Sequence, residues 1–171
     1  MASSKKLLTI FGATGNQGGS IIDTVLAHPD LQSKYSLRGI SRDPSSGKSQ
    51  TLASKGVEMI KAELDDLESL KAALQGSYGA FGVTDFWATM SKSIEIQQGK
   101  NMFEAAKATG VQHYVFSSLP SVEKMSGGEL RAVEHFDSKA EVAEYIEANK
   151  GEMVASYFMP GKSLPMRLHP R

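Results

Sequence analysis

The stretch TIFGATGNQGGS, residues 9–20, decides how this chain folds. An apolar run, Leu7–Phe11, leads into it. A helical pattern, Gln17–Ala27, leaves it, with Ile21, Ile22, Val25 and Leu26 on one face. Gly12, Gly15 and Gly18 sit at the junction in a G-x-x-G-x-x-G spacing. Gly12 permits a tight turn, Gly15 lets backbone approach a pyrophosphate, and Gly18 lets the helix pack close to the sheet. The helix start then offers N–H groups and a partial positive charge to phosphate. Glycines alone say little. At the first strand–helix junction of a repeating β–α chain, they point to a dinucleotide.

The chain does repeat in that way. Leu7–Phe11, Tyr35–Ser41, Val57–Lys61, Ala80–Val83, His113–Ser117 and Val154–Phe158 read as strands. Gln17–Ala27, Ser46–Lys55, Asp66–Leu74, Ser93–Thr109 and Ser138–Asn149 read as helices between them. Such alternation with short connections predicts an α/β fold, a parallel sheet with helices on both faces. Leu119–Glu134 lacks a clear period, contains Gly127 and Gly128, and is expected to be a mobile loop near the strand ends.

Composition narrows the functions. The 171 residues suit one domain with a real core, and 19 basic against 19 acidic residues give no net charge. Bulk charge therefore does not favour direct nucleic-acid binding. The absence of cysteine removes disulfides, thiol catalysis and thiolate metal sites. The histidines, 28, 113, 135 and 169, have no metal-ligand spacing, so no metal is expected. No run is long enough to span a membrane, and a cytoplasmic location, with the nucleus as a second compartment, is expected.

The second strand candidate ends LRGISRDP. A carboxylate there would hold the ribose 2′-hydroxyl of NAD. Arg42 stands in that place and can pair with a 2′-phosphate, which favours NADP(H) over NAD(H). Asp43 is one step later and can turn outward, while Arg38, four residues earlier, is expected to be structural. In EHFDSKAEV, residues 134–142, His135 and Lys139 share a stripe with Val142 and Ile146 if the helix already runs through 135. Alternatively, Ser138 and Glu141 form a capping box and the helix starts near Lys139.

Taken together, FGATGNQGGSI, SRDP, VTDFW, IQQGKNMFEAAKATGVQHYVFSSL and HFDSKAEVAEYI resemble the NmrA-like proteins, atypical relatives of the short-chain dehydrogenases/reductases. The likeness runs in order from about Lys6 to Gly161. It implies a Rossmann-type, doubly wound, three-layer α/β/α domain over residues 1–161. It also implies that Gly12, Ala13, Thr14, Gly15, Asn16 and Gln17 wrap the pyrophosphate, with Gly18 beneath them, and that Arg42 holds the 2′-phosphate. Glu63 and Leu64 would lie beside the adenine, and Val83, Thr84 and Asp85 along the nicotinamide-side ribose, which Lys139 would bind.

Two departures from the family follow. Active short-chain dehydrogenases carry a tyrosine four residues before the lysine, and His135 stands there in this chain. Histidine can still move protons near neutral pH, so the catalytic candidates are His135, Lys139 and Ser117 (or Ser118) at the end of the fifth strand. The resemblance implies either an NADP(H)-dependent oxidoreductase acting on a small organic molecule, as in secondary metabolism, or a non-catalytic redox sensor and transcriptional regulator that changes a regulatory protein partner, with an inactive truncated member as the third alternative. The second departure is that the likeness stops after Gly161. KSLPMRLHPR, residues 162–171, reads as a divergent, irregular tail. Most of the C-terminal substrate lobe is thus expected to be missing, with one wall of the substrate pocket lost. Apolar surface would then be exposed and favour a homo-oligomer.

Overall fold

The strands of this chain are four to seven residues long and rich in Ile, Leu, Val, Phe and Tyr, as suits a sheet buried on both faces. In the computed structural model, which describes residues 4–161, the element order is β1 (Lys6–Ile10), α1 (Asn16–Ala27), α2 (Pro29–Lys34), β2 (Tyr35–Ser41), α3 (Gly47–Ser54), β3 (Glu58–Lys61), α4 (Leu67–Leu74), β4 (Ser77–Gly82), α5 (Phe86–Thr89), α6 (Lys92–Ala108), β5 (His113–Ser117), α7 (Val122–Met125), α8 (Glu134–Asn149) and β6 (Val154–Phe158). The strands form one sheet in the order β3-β2-β1-β4-β5-β6, and all pairs are parallel. The expected tail, residues 162–171, lies outside the described residues.

Two apolar clusters make the three layers. On one face Ile22 and Val25 of α1 and Leu52 of α3 pack on Ile10, Leu37 and Phe81. On the other, Leu70 and Leu74 of α4, Met102 and Phe103 of α6, and Val142 and Ile146 of α8 enclose Tyr114 and Phe116. The sheet changes winding direction between β1 and β4, so a crevice opens outside their C-terminal ends. The glycine turn, Arg42, Glu63, Leu64, Val83–Asp85 and Ser117 all follow strand ends on that one edge.

Arg38 of β2 shows how the far end is tied. Its Nε donates to Glu58 Oε2 at 2.8 Å, and its Nη1 donates to the carbonyls of Ala73 (2.8 Å) and Gln75 (2.9 Å). The guanidinium thus satisfies carbonyls left open at the end of α4, which has no further helical partner for them. Arg38 is structural, as expected.

The structure adds two short helices that the sequence reading did not contain, α2 and α5, and three further elements differ from it. β4 begins at Ser77, not Ala80, because the buried Ser77 hydroxyl pairs with that of Thr9 at 2.6 Å, so a polar residue is accommodated in the strand. α8 begins at Glu134, not Ser138. Its first turn carries Glu134 and Asp137, which suit a helix N-terminus. Ser138 is no cap but is fully buried inside the helix. The 119–134 segment is not a featureless loop. It contains α7, whose N-cap Ser121 accepts from Lys124 N.

At the β6 edge Val154, Phe158 and Met159 are about half exposed (53, 50 and 56 %). Among the described residues, no helix is long and apolar enough to cross a membrane.

Arg38→Met should leave the partly buried Ala73 carbonyl without its donor and the exposed Gln75 carbonyl to water, costing about 1–3 kcal/mol. The expected result in a thermal melt is a Tm lower by about 2–10 °C, with the ratio of NADPH to NADH affinity unchanged.

Candidate functional site

The glycine turn is sterically determined. Gly12 has φ +61°, and a Cβ there would lie 2.8 Å from Val83 Cγ1. At Gly18 a Cβ would lie 2.3 Å from the Gly12 carbonyl oxygen, which is backbone and cannot step aside. The N-cap of α1 is Gly15, so no side chain caps the helix, and its first turn holds no acidic residue. Its leading N–H groups are therefore left for a ligand or solvent. Among the described residues, Gln17 Oε1 is one of two buried side-chain polar atoms without a partner, and it lies in this same turn. A groove of about 950 Å³ opens beside the turn between α1 and α3, lined in part by Thr14, Asn16, Asp23, Lys48 and Thr51.

At the end of β2 the two charges separate. Asp43 Oδ1 accepts from Ser45 N at 2.9 Å and Ser45 Oγ at 2.5 Å. The Ser45 hydroxyl, helped by the Ser45 and Ser46 amides and by Lys61 against a small opposing effect of burial, lowers the Asp43 pKa below the usual carboxylate value. The carboxylate is thus occupied in its own turn. Arg42 is exposed and takes part in none of the ion pairs found among the described residues. Past β3, Glu63 is exposed, while Leu64 packs against the core and its carbonyl accepts from Asn101 Nδ2 at 2.9 Å. Past β4, Val83 abuts Gly12, Thr84 is buried, and Asp85 caps α5 by accepting from Trp87 N.

Lys139 lies one helical turn beyond His135 on α8 and reaches back to β4. Its Nζ donates to Glu95 Oε1 at 2.6 Å, Thr84 Oγ1 at 2.8 Å and the Thr84 carbonyl at 2.9 Å. The Thr84 hydroxyl donates to Glu95 Oε1 at 2.7 Å, and Ser138 Oγ donates to Glu95 Oε2. Glu95 is buried in the first turn of α6, with no exposed side-chain surface. A buried ion pair is tolerable when its remaining oxygens are satisfied, as these are.

Sequence reasoning missed Glu95, although a signal was present. It stands four, seven and eleven residues before Gly99, Met102 and Ala106, so it occupies the inward stripe of α6, where a charge needs a partner. A Cβ at Gly99 would lie 2.6 Å from Val142 Cγ2, so α6 and α8 meet closely. That approach brings Glu95 against Ser138 and Lys139.

His135 stands apart from this network. Its ring lies 4.9 Å from that of Phe136, 5.1 Å from Trp87 and 5.8 Å from Phe86. Trp87 is 65 % exposed, so the cluster has a wet outer face. α5 ends at Met90, which has φ +51° and is the one non-glycine residue with positive φ among those described. Ser117 is buried at the end of β5. Ser118 Oγ donates to the Lys139 carbonyl at 3.2 Å, which braces α8 against the sheet.

Residues 4–168 match the NmrA-like family, a little past the point where the likeness was expected to stop. A nucleotide-type Rossmann sheet with an NmrA-like sequence over nearly its whole length places the chain in that class, and it belongs to the NmrA-like family. It is 34 % identical over 160 residues to the NmrA-like family domain-containing oxidoreductase hkm9 of Aspergillus hancockii, covering 92 % of this chain and 46 % of that one. NmrA, a negative transcriptional regulator solved in complex with NADP, aligns with a TM-score of 0.72 at 24 % identity, over 90 % of this chain and 44 % of NmrA. The NADPH-dependent quinone oxidoreductase QOR2 of Escherichia coli, complexed with NADPH, aligns with a TM-score of 0.69 at 24 % identity, over 90 % of this chain and 48 % of QOR2. The chain thus spans about half the length of the curated relatives it matches.

The segment after β5 has its own anchor. Asp137 Oδ1 accepts from Ser121 Oγ at 2.9 Å and Glu123 N at 3.1 Å, which fixes α7 to α8. Burial raises the Asp137 pKa, but the Glu123 amide, the Ser121 hydroxyl, the Val122 amide and Lys92 outweigh it and the net shift is down. A depressed folded pKa gives stability that is present above the unfolded value and lost as pH falls through the folded one. Asp137→Asn should therefore lower Tm at neutral pH, and its gap from the parent protein should narrow as pH drops below about 4. Melting curves at a series of pH values check this.

Proposed function

We propose that this chain is the NADP(H)-binding part of an NmrA-type oxidoreductase that acts on a small organic molecule. The observation that carries the reading is the uncapped start of α1 beneath Gly12 and Gly15, beside an exposed Arg42 whose neighbour Asp43 is already engaged. The residues fit the cofactor. The N–H groups of α1 suit a pyrophosphate, and no carboxylate in the first turn opposes it. The orphaned Gln17 Oε1 can accept from a hydroxyl, or, with the amide turned, its nitrogen can donate to a phosphate oxygen. Arg42 would hold the 2′-phosphate, Glu63 and Leu64 would flank the adenine, and Val83, Thr84, Asp85 and Lys139 would take the second ribose.

The bound nicotinamide supplies or accepts a hydride. The chain's own residues do the rest. Lys139 and Thr84 fix the ribose at the end of β4. Phe86 and Trp87 shield one side from water and offer an aromatic surface to the substrate. His135 gives or takes the proton, directly or through one water. Ser117 at the end of β5 orients a substrate carbonyl. The domain is residues 1–161, and the exposed β6 edge suits contact with a second copy. This reading keeps the protein in the cytoplasm or nucleus, without direct contact with nucleic acid or membrane.

One observation favours a second reading, an NADP(H) sensor that does not turn over and instead changes its protein partner. Where a catalytic phenol would stand, His135 lies among three aromatic rings and forms no side-chain hydrogen bond recorded among the described residues. A panel of carbonyls, enones and quinones separates the two. The oxidoreductase consumes NADPH steadily with at least one substrate, and His135→Ala removes most of that rate. A protein that binds NADPH, consumes none across the panel and captures a different partner set with NADPH than without it is the sensor.

Calorimetric titration tests the cofactor. Arg42→Ala should weaken NADPH binding by about 10–100-fold, in line with one charge-assisted contact of about 1.5–3 kcal/mol, and change NADH binding less than twofold. Equal losses would show that Arg42 does not read the 2′-phosphate.

A further inference from the structure

Glu95 is the most deeply buried acid among the described residues, and none of the cofactor contacts above uses it. We propose that Glu95 is a positioning residue that holds the Lys139 ammonium at the rim of β4, and that a ribose engages Lys139 by displacing Thr84 rather than Glu95. The inference rests on the reading of Lys139 as a ribose ligand.

The argument is a count of donors. A lysine ammonium has three N–H groups and no acceptor. Those of Lys139 go to Glu95 Oε1, Thr84 Oγ1 and the Thr84 carbonyl. A ribose hydroxyl can accept from Lys139 only by taking the place of one of them. The bond to Glu95 is the shortest, at 2.6 Å, and joins two opposite charges, one of them fully buried. The two to Thr84 end on neutral oxygens. All three bonds have a charged donor, but only the one to Glu95 adds attraction between opposite charges in a buried setting, and breaking it would leave a buried carboxylate uncompensated. The Thr84 contacts therefore exchange and the Glu95 contact stays.

Glu95 is itself immobilised. Oε1 accepts from the Thr84 hydroxyl, and Oε2 accepts from Ser138, which directly precedes Lys139 on α8. One carboxylate therefore joins the start of α6, the end of β4 and the second turn of α8. It fixes the side chain of Lys139 through charge and its backbone through Ser138.

Glu95→Gln keeps the shape and removes the charge. By calorimetry it should weaken NADPH and NADH by the same factor, tenfold or more, because the second ribose is common to both. That separates it from Arg42, which acts on one cofactor. In a Lys139→Met background the same substitution should change affinity less than twofold, since its effect runs through Lys139. Thermal melts give an independent readout. Lys139→Met alone should lower Tm by leaving a buried carboxylate unpaired, and adding Glu95→Gln should recover part of the loss. Unchanged affinity in Glu95→Gln, or equal losses in both backgrounds, would overturn the proposal. If the parent protein binds neither nucleotide, the functional reading fails on its own. The melts then still decide the pairing, and additive Tm changes would overturn it.

Discussion

Gly18 has no room for a side chain, and much of the site follows from that. The Gly12 carbonyl sits where a Cβ would be, so α1 can begin directly against the turn that ends β1. The helix is thereby aimed with its open N–H groups at the crevice between β1 and β4. Had α1 been held further off, the reversal of strand order would still create a crevice, but no helix end would face into it. Val83 completes the arrangement from the other side, since it fills the space over Gly12 and links the turn to the segment leading to Thr84.

The second half of the site depends on a different close approach. Gly99 lets α6 and α8 come together over Val142, and this puts an acid from one helix beside a lysine from the other. Low-dielectric surroundings make such a pair demanding, because each group needs its full set of partners. Thr84 and Ser138 provide them. The charged network and the glycine turn lie on opposite sides of the switch point, and the sheet is the rigid spacer between them.

Much of this was legible in the residues. The six strands, their parallel order and the glycine turn follow from apolar runs and punctuation, which are local signals. Arg42 and Asp43 could be told apart because a strand end has a fixed position relative to the turn. What could not be read were contacts distant in sequence. The Ser77–Thr9 pair extended β4 beyond its apolar run, and the Asp137–Ser121 bond ordered a segment with no periodicity of its own. Glu95 was hidden because its partners lie 11, 43 and 44 residues away. The start of α8 was ambiguous because S-x-x-E resembles a cap. Ser138 instead found its partner on another helix, and tertiary burial prevailed over the local motif.

Met90 gives the rim of the site a character unlike its base. A non-glycine residue in the left-handed region carries about 1–2 kcal/mol of strain, and this one ends α5 three residues after Trp87, with most of its surface in water. The strands below are held by parallel ladders on both sides, whereas this short helix is held by Asp85 at one end and a strained residue at the other. A bound molecule that favoured a relaxed Met90 would recover that strain, and so would shift this segment with only modest differential affinity. The rim around Trp87 is thus the less constrained part of the structure, whereas the glycine turn is fixed by sterics.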